Sequence, residues 1–259
     1  MNNNICMTQP QVGSWASGVW NMVFVGVDGA PTSHCSNVDD SPYVTVDSAP
    51  AIAEKPFISI DDNGLYYLNI PPVKEDAAGV DWTQDSSNQV SFEQVYVADN
   101  KTDTADTING KLAAGLHLVL SPGIYSLDAP LQVTTDNQVI LGLGLATLVP
   151  SKGNSAIEVG DVDGVRVAGV LLQAGATSSP TLLKWGSKKA AGDASNPGVM
   201  SDIFARVGGP DSFETAAETM VSVQRGNVIG DVSVPDRPHI PASSCASCNF
   251  ARGCEHREP

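Results

Sequence analysis

The chain has 259 residues, of which 17% are charged and 6% aromatic, with 24 Gly and 17 Pro spread along it. With 14 basic against 29 acidic residues the formal net charge is −15, which repels nucleic-acid phosphates and anionic lipid and removes both as expected partners. No stretch approaches the roughly 20 apolar residues of a membrane span, and the abundance of Val, Thr, Gly and Pro points to an all-β protein with many turns.

The N-terminus, Met1 to Cys6, shows no basic segment followed by an apolar run, so no secretory signal is visible in the chain. Residues 1–100 alternate short β-like runs with turn clusters and read as a β-rich N-terminal region packed on the rest of the chain. The run Val19 to Gly26 is strand-like and turns at Asp28-Gly29. Phe57-Ile58-Ser59-Ile60 and Leu65 to Ile70 flank Asp61-Asp62-Asn63-Gly64, a hairpin signal in which Asn-Gly supplies positive φ angles. Asn100-Lys101-Thr102 is an N-glycosylation sequon, relevant only to a secreted chain.

One helix is expected over 104–115. Thr104 or Asp103 caps it, Ile108 and Leu112 share a face, and Gly115 ends it. From Leu116 onward short apolar strands succeed one another, separated by Gly, Asn and Asp, with no helical spacer. Comparable strands begin near Val139, Val165, Val199 and Val228, steps of about 26 to 34 residues that fit the rounds of a parallel solenoid. The expected fold is therefore all-β: a right-handed single-stranded parallel β-helix over 101–231, with the short helix capping its first round. A sandwich of antiparallel hairpins is the rival, and the lack of regular hairpin loops speaks against it. At Asp231 the composition shifts. Residues 232–259 hold four Pro and three Cys without strand pattern, and they read as an irregular, disordered tail.

Few constellations carry chemistry. Cys6 and Cys35 are either a disulfide or two thiols. Cys245-x2-Cys248-x5-Cys254-x-His256 begins like a zinc site, but its second half is tighter than customary spacings, and no metal is assigned. His117 heads an apolar strand and reads as a packed or edge residue, and His34 stands alone. Gly142-Leu143-Gly144 lacks the strand–loop–helix setting of a dinucleotide site and serves as a spacer. Glu158, Asp161 and Asp163 form the densest acidic group and read as solvated turn residues. Gln173 interrupts an apolar run where a strand ends, a place where an amide can face a cleft and bond sugar hydroxyls. Trp185 also ends a strand, as a platform for a pyranose or as a lid over the core.

Several stretches resemble the laminarinase-like exo-β-1,3-glucanases of glycoside hydrolase family 55. They include Gly18 to Gly26, Glu54 to Phe57, Gln138 to Val149 and Val162 to Gly175, with Ser195 to Gly198, Phe204 to Gly209 and Gly226 to Asp231 beyond them. The resemblance covers roughly residues 12–231. It implies an extracellular, monomeric enzyme of polysaccharide metabolism that needs no cofactor or metal. Two β-helices would stand side by side and cleave β-1,3-glucan from its end with inversion. The first helix would supply substrate contacts, here Gln173 and more weakly Ser195. The family's active-site segment would come after Asp231, where this chain reads Val232-Ser233-Val234-Pro235 instead. The resemblance thus implies a fragment corresponding to the N-terminal half, without the catalytic acid and base. The alternative reading is a non-catalytic β-helix that binds a glycan or a partner.

Overall fold

The computed structural model describes residues 4–8, 21–31, 43–79, 88–188, 190–208 and 215–233. In chain order the first strands are β1 (Asn4–Thr8), β2 (Asn21–Val25), β3 (Tyr43–Val46), β4 (Ala49–Ala53), β5 (Phe57–Ile60), β6 (Tyr66–Asn69), β7 (Val73–Ala77), β8 (Gln89–Ser91) and β9 (Val95–Ala98). The helix α1 (Ala105–Ala113) leads to β10 (His117–Leu120), β11 (Ile124–Leu127), β12 (Leu131–Val133), β13 (Val139–Pro150) and β14 (Ile157–Val159). The last five strands are β15 (Arg166–Gln173), β16 (Ser179–Trp185), β17 (Gly198–Arg206), β18 (Ala217–Val223) and β19 (Val228–Ser233).

The chain divides into two compact units. The first takes Met1–Ala53 and Pro72–Asp85, and its described strands form a parallel sheet β1-β2-β3 and an antiparallel pair β4-β7. The second takes Glu54–Pro71 and the described chain from Ser86 to Ser233. It opens with the expected hairpin, β5 and β6 antiparallel with Ile58 opposite Leu68, and β8 pairs on the far side of β6. The positive φ falls on Gly64 alone, at 82°. Asp61 makes this possible: its Oδ1 accepts from the backbone N–H groups of Asn63 (2.9 Å) and Leu65 (2.8 Å) and closes the loop itself.

From β9 onward every pairing is parallel. One ladder runs Tyr96, Leu118, Ile140, Val167, Met200 and Gly230, a residue from each successive round of the chain. A second sheet, β12-β14-β16-β18, carries the ladder Leu131, Ile157, Leu183 and Val221. From β10 onward no helix separates the rounds among the described residues, and across 139–173 the antiparallel alternative is excluded. β13 runs through the Gly142-Leu143-Gly144 stretch that the sequence reads as a spacer between strands. In β13 the register shifts between Leu141 and Ala146, and Gly142-Leu143-Gly144 lies inside this bulge. At the bend a Cβ on Gly142 would stand 2.4 Å from the Gly169 carbonyl oxygen. Adjacent rounds approach so closely there that only glycine fits.

Inward-facing side chains from both sheets fill one core. Leu118, Ile140, Val167 and Met200 meet Leu131, Ile157, Leu183 and Trp185 in it. α1 adds Ile108 and Leu112, both buried, to the same core and lies against β10 and β12. The opposite face of β10-β13-β15 is covered as well: Val119, Val139, Leu141 and Ala168 cluster with Leu68 of the hairpin. Burial on both faces explains why these strands read as continuous apolar runs. The last strand continues to Ser233, two residues past the expected end, and the stretch from residue 234 lies outside the described residues.

Candidate functional site

Gln173 is the last residue of β15 and stands in register with Arg206, the last of β17. Its side chain is 7% exposed, and its Oε1 accepts two hydrogen bonds from the Arg206 guanidinium, one from Nε (3.1 Å) and one from Nη2. An amide buried to this degree needs partners, and the neighbouring round supplies them. The chain forms this pair because two successive rounds end their second straight stretch on a polar residue at the same level.

Ser195 lies in the loop before β17, exposed. Its Oγ donates to Asp193 Oδ1 (2.7 Å), and its backbone N–H donates to the same atom (2.8 Å). Asp193 belongs to a chain of aspartates. Asp163 N–H donates to Asp136 Oδ1 (2.8 Å), and Asp193 N–H donates to Asp163 Oδ1 (3.0 Å). Ser195 and Gln173 therefore sit at different corners of the rounds, one before a strand and one after it. Trp185 is fully buried, and its indole packs over Gly198, where an added Cβ would lie 2.6 Å from the ring. No face of the indole reaches the surface, so in this fold it is a core residue and offers no sugar platform. The cause is register: Trp185 pairs with Val159 and Val223, and the first of these already faces the core.

The acidic group is bonded as well as solvated. Asp161 accepts from Ser187, through Oδ1 from the backbone N–H and through Oδ2 from Oγ, each at 2.7 Å. Asp163 accepts from Arg225 Nη2 at 2.6 Å. The Ser187 bonds hold the Asp161 carboxyl below the usual carboxylate range, and the Arg225 guanidinium does the same for Asp163. Glu158 accepts from Ser155 Oγ at 3.0 Å. A shallow cleft open to solvent is lined here by Gln132, Thr134, Glu158, Asp161, Lys184 and Ser187. It holds none of the three residues expected to contact sugar.

His117 behaves as a packed residue. Its Nδ1 accepts from the Val139 backbone N–H (3.1 Å), and burial pushes its pKa down. Four cysteines, the side chain of Cys6, His34 and the C-x2-C segment lie outside the described residues. Among the described residues no three His, Cys, Asp or Glu form a metal-holding group, and no helix is long and apolar enough to cross a membrane. The residues missed from sequence are Arg206 and Arg225. Each bonds a partner at least 33 positions earlier, a pairing visible only once the rounds are aligned.

Residues 95–236 match the LAM55 pectate lyase-like domain, more than half of the chain. The chain belongs to the LAM55 pectate lyase-like family. The matched span begins at β9 and so coincides with the parallel rounds. An exo-beta-1,3-glucanase of Streptomyces sp. (strain SirexAA-E / ActE) is 43% identical over 214 residues, 82% of this chain and 34% of that protein. The solved structure of sacteLam55A from Streptomyces sp. SirexAA-E aligns with a TM-score of 0.80 at 38% identity. A glutamate-to-alanine variant of the same protein in complex with glucose aligns equally well. Each alignment covers 90% of this chain and 42% of the other. The chain thus spans roughly a third to two fifths of the length of these relatives.

Proposed function

We propose that this chain is the glucan-holding part of a β-1,3-glucan hydrolase, folded as a right-handed parallel β-helix, with Gln173 among its sugar contacts. The likeness to an exo-beta-1,3-glucanase at 43% identity carries this reading. The position of Gln173, a polar amide at the last residue of an otherwise apolar strand, supports it. In this reading the protein works outside the cell, as a monomer on a neutral polymer, without metal or cofactor.

The same reading has the described part of the chain hold glucan without cleaving it. Inverting cleavage requires one carboxyl kept protonated to donate to the leaving oxygen, and a second carboxylate about 6.5–9.5 Å away to activate water. An acid of that kind has a raised pKa. Asp161 and Asp163 are shifted the opposite way by Ser187 and Arg225, so both are ionised at neutral pH and neither can donate. Incubated with laminarin, the chain should release no glucose, while a laminari-oligosaccharide binds and Gln173→Ala weakens that binding about tenfold. Glucose release abolished by Asp161→Ala or Asp163→Ala would overturn the assignment, and binding indifferent to Gln173→Ala would remove Gln173 from the site.

A further inference from the structure

We propose that the open cleft on the outer face of β12, β14 and β16 binds a neutral sugar unit through adjacent hydroxyls, at a site separate from Gln173 and independent of the glucan reading above. The cleft follows from strand parity. In each of these strands a polar residue faces out between two core residues, and Gln132, Glu158 and Lys184 stand side by side in register. Two positions on, the same outward direction falls on Thr134, Gly160 and Gly186, which also line the cleft. Gly160 and Gly186 still continue the ladder, donating to the carbonyls of Val133 (2.9 Å) and Val159 (2.8 Å). Two glycines thus leave a gap in an outward row, and the turn where Ser187 clasps Asp161 walls it. The gap holds about 270 Å³, just under the roughly 300 Å³ at which drug-sized sites begin, so it suits one sugar ring rather than an oligosaccharide.

The lining selects the ligand class. Among the described residues, the side chains of Gln132, Thr134 and Lys184 take part in no hydrogen bond or ion pair. Glu158 accepts through Oε1 from Ser155 Oγ, which leaves Oε2 open. The cleft therefore offers donors at Lys184, an acceptor at Glu158, and groups that do both at Gln132 and Thr134. Glu158 and Lys184 are partners in register, on strands roughly 4.8 Å apart, yet they form no ion pair with each other. One hydroxyl accepting from the ammonium while its neighbour donates to the carboxylate would satisfy both charges at once. Charge favours the same ligand. Lys184 offsets Glu158, and Arg225 faces Asp161 at 4.0 Å, so neither an anion nor a cation meets a net opposite charge. No aromatic ring lines the cleft, which keeps the affinity in the millimolar range.

The test titrates methyl β-D-glucopyranoside into the 15N-labelled full chain and follows its amide signals. The backbone signals of Gly160, Gly186 and Ser187 and the side-chain signals of Gln132 should move together. The fully O-methylated sugar, which cannot donate to Glu158, should move none of them. Gly160→Val is the sharpest variant. Gly160 lies outside the left-handed region, and an added Cβ meets only the Val133 carbonyl oxygen, at an ordinary 3.4 Å. The variant should therefore stay folded, fill the cleft, and bind the sugar about tenfold more weakly or not at all. Lys184→Met keeps the apolar stem of an exposed, unpaired side chain and removes its charge. It should weaken binding about tenfold with an unchanged melting temperature, and it decides the matter alone if Gly160→Val is unstable. Gln173→Ala should leave every one of these shifts in place. Native-like shifts in Gly160→Val or in Lys184→Met overturn the proposal, as does a native chain whose cleft signals stay still. Shifts confined to Gln173 and Arg206, and lost in Gln173→Ala, would also overturn it while upholding Gln173 as a sugar contact.

Discussion

Tyr96 carries the largest perturbation of an ordinary side chain whose cause can be read atom by atom. Its O–H donates to Asp103 Oδ1 at 2.6 Å, and the other carboxylate oxygen of Asp103 accepts from the Asp99 backbone N–H at 2.8 Å. Ionising the phenol would break the first bond and set phenolate against carboxylate, so its pKa is pushed up to about 12. The bond exists with the phenol protonated, so its contribution to stability is complete below the ordinary tyrosine value of about 10 and is lost as pH rises from there toward the folded value. In an ultraviolet titration, the phenolate signal missing from Tyr96→Phe should appear near pH 12 and move down in Asp103→Asn. A Tyr96 signal near the ordinary value of about 10 would show that this bond is not made in solution. At this same scale the sequence was least legible. The break in an apolar run located Gln173 at a strand end, but nothing in the run named Arg206 as its partner. Trp185 could be read as platform or lid until its neighbour in register, the core residue Val159, showed that this level faces inward.

Elements were more legible, because helix and strand signals are local. The expected cap is present at Thr104, whose Oγ1 accepts from the Thr107 N–H at 3.2 Å. The expected stop is Gly115, in the left-handed region at φ 84°. Hidden from a local reading are the bonds that fasten α1 to the strands. Asn109 donates to the Pro130 carbonyl and accepts from the Gln132 N–H, both at 2.8 Å, which ties α1 to the start of β12. Gln138, 1% exposed, reaches back from the start of β13 and donates through Nε2 to the carbonyls of Leu112 (2.9 Å) and Leu116 (2.8 Å). The Leu112 carbonyl also accepts from the Gly115 N–H at 2.9 Å, so losing the amide removes two buried hydrogen bonds, each worth about 0.5–1.5 kcal/mol, without orphaning that carbonyl. Gln138→Ala should therefore destabilise the chain by about 1–3 kcal/mol in urea, without altering the slope of the transition. Gln138→Glu should be no milder, since it loses the NH2 donor and faces two carbonyls with a charge. A Gln138→Ala change below about 0.5 kcal/mol would mean that water replaces the amide and that the helix end is not sealed.

The recurrence of apolar strands set the parallel architecture from β9 onward, because pairing successive parallel strands in register places the same residue class at the same level each time. That repetition also stacks charge. Asp136, Asp163 and Asp193 occupy equivalent turns of three consecutive rounds, the first two each accepting from the backbone of the next. Neighbouring rounds stand roughly 4.8 Å apart, so like charges recur at about that spacing. The chain as a whole carries −15. Arg225 offsets part of this: its side chain is 8% exposed and its guanidinium reaches Asp163 at 2.6 Å and Asp161 at 4.0 Å. Two effects of salt then compete. Screening weakens the Arg225 pairs and also weakens the repulsion along the aspartate ladder and across the acidic surface. The pairs are few and short-range, with Arg225 shielded from solvent, whereas the repulsion is spread over many exposed groups within a Debye length of about 10 Å. Repulsion should dominate, and the melting temperature should rise as NaCl increases from about 20 to about 300 mM, the range over which that length shrinks most usefully. Arg225→Met sharpens the test, because it removes the internal counter-charge. Its melting temperature should start lower and climb more steeply with NaCl than that of the native chain. Parallel curves for the two proteins would mean that Arg225 acts through packing over Gly186 alone, and a native curve falling with salt would mean that ion pairs outweigh repulsion in this stack.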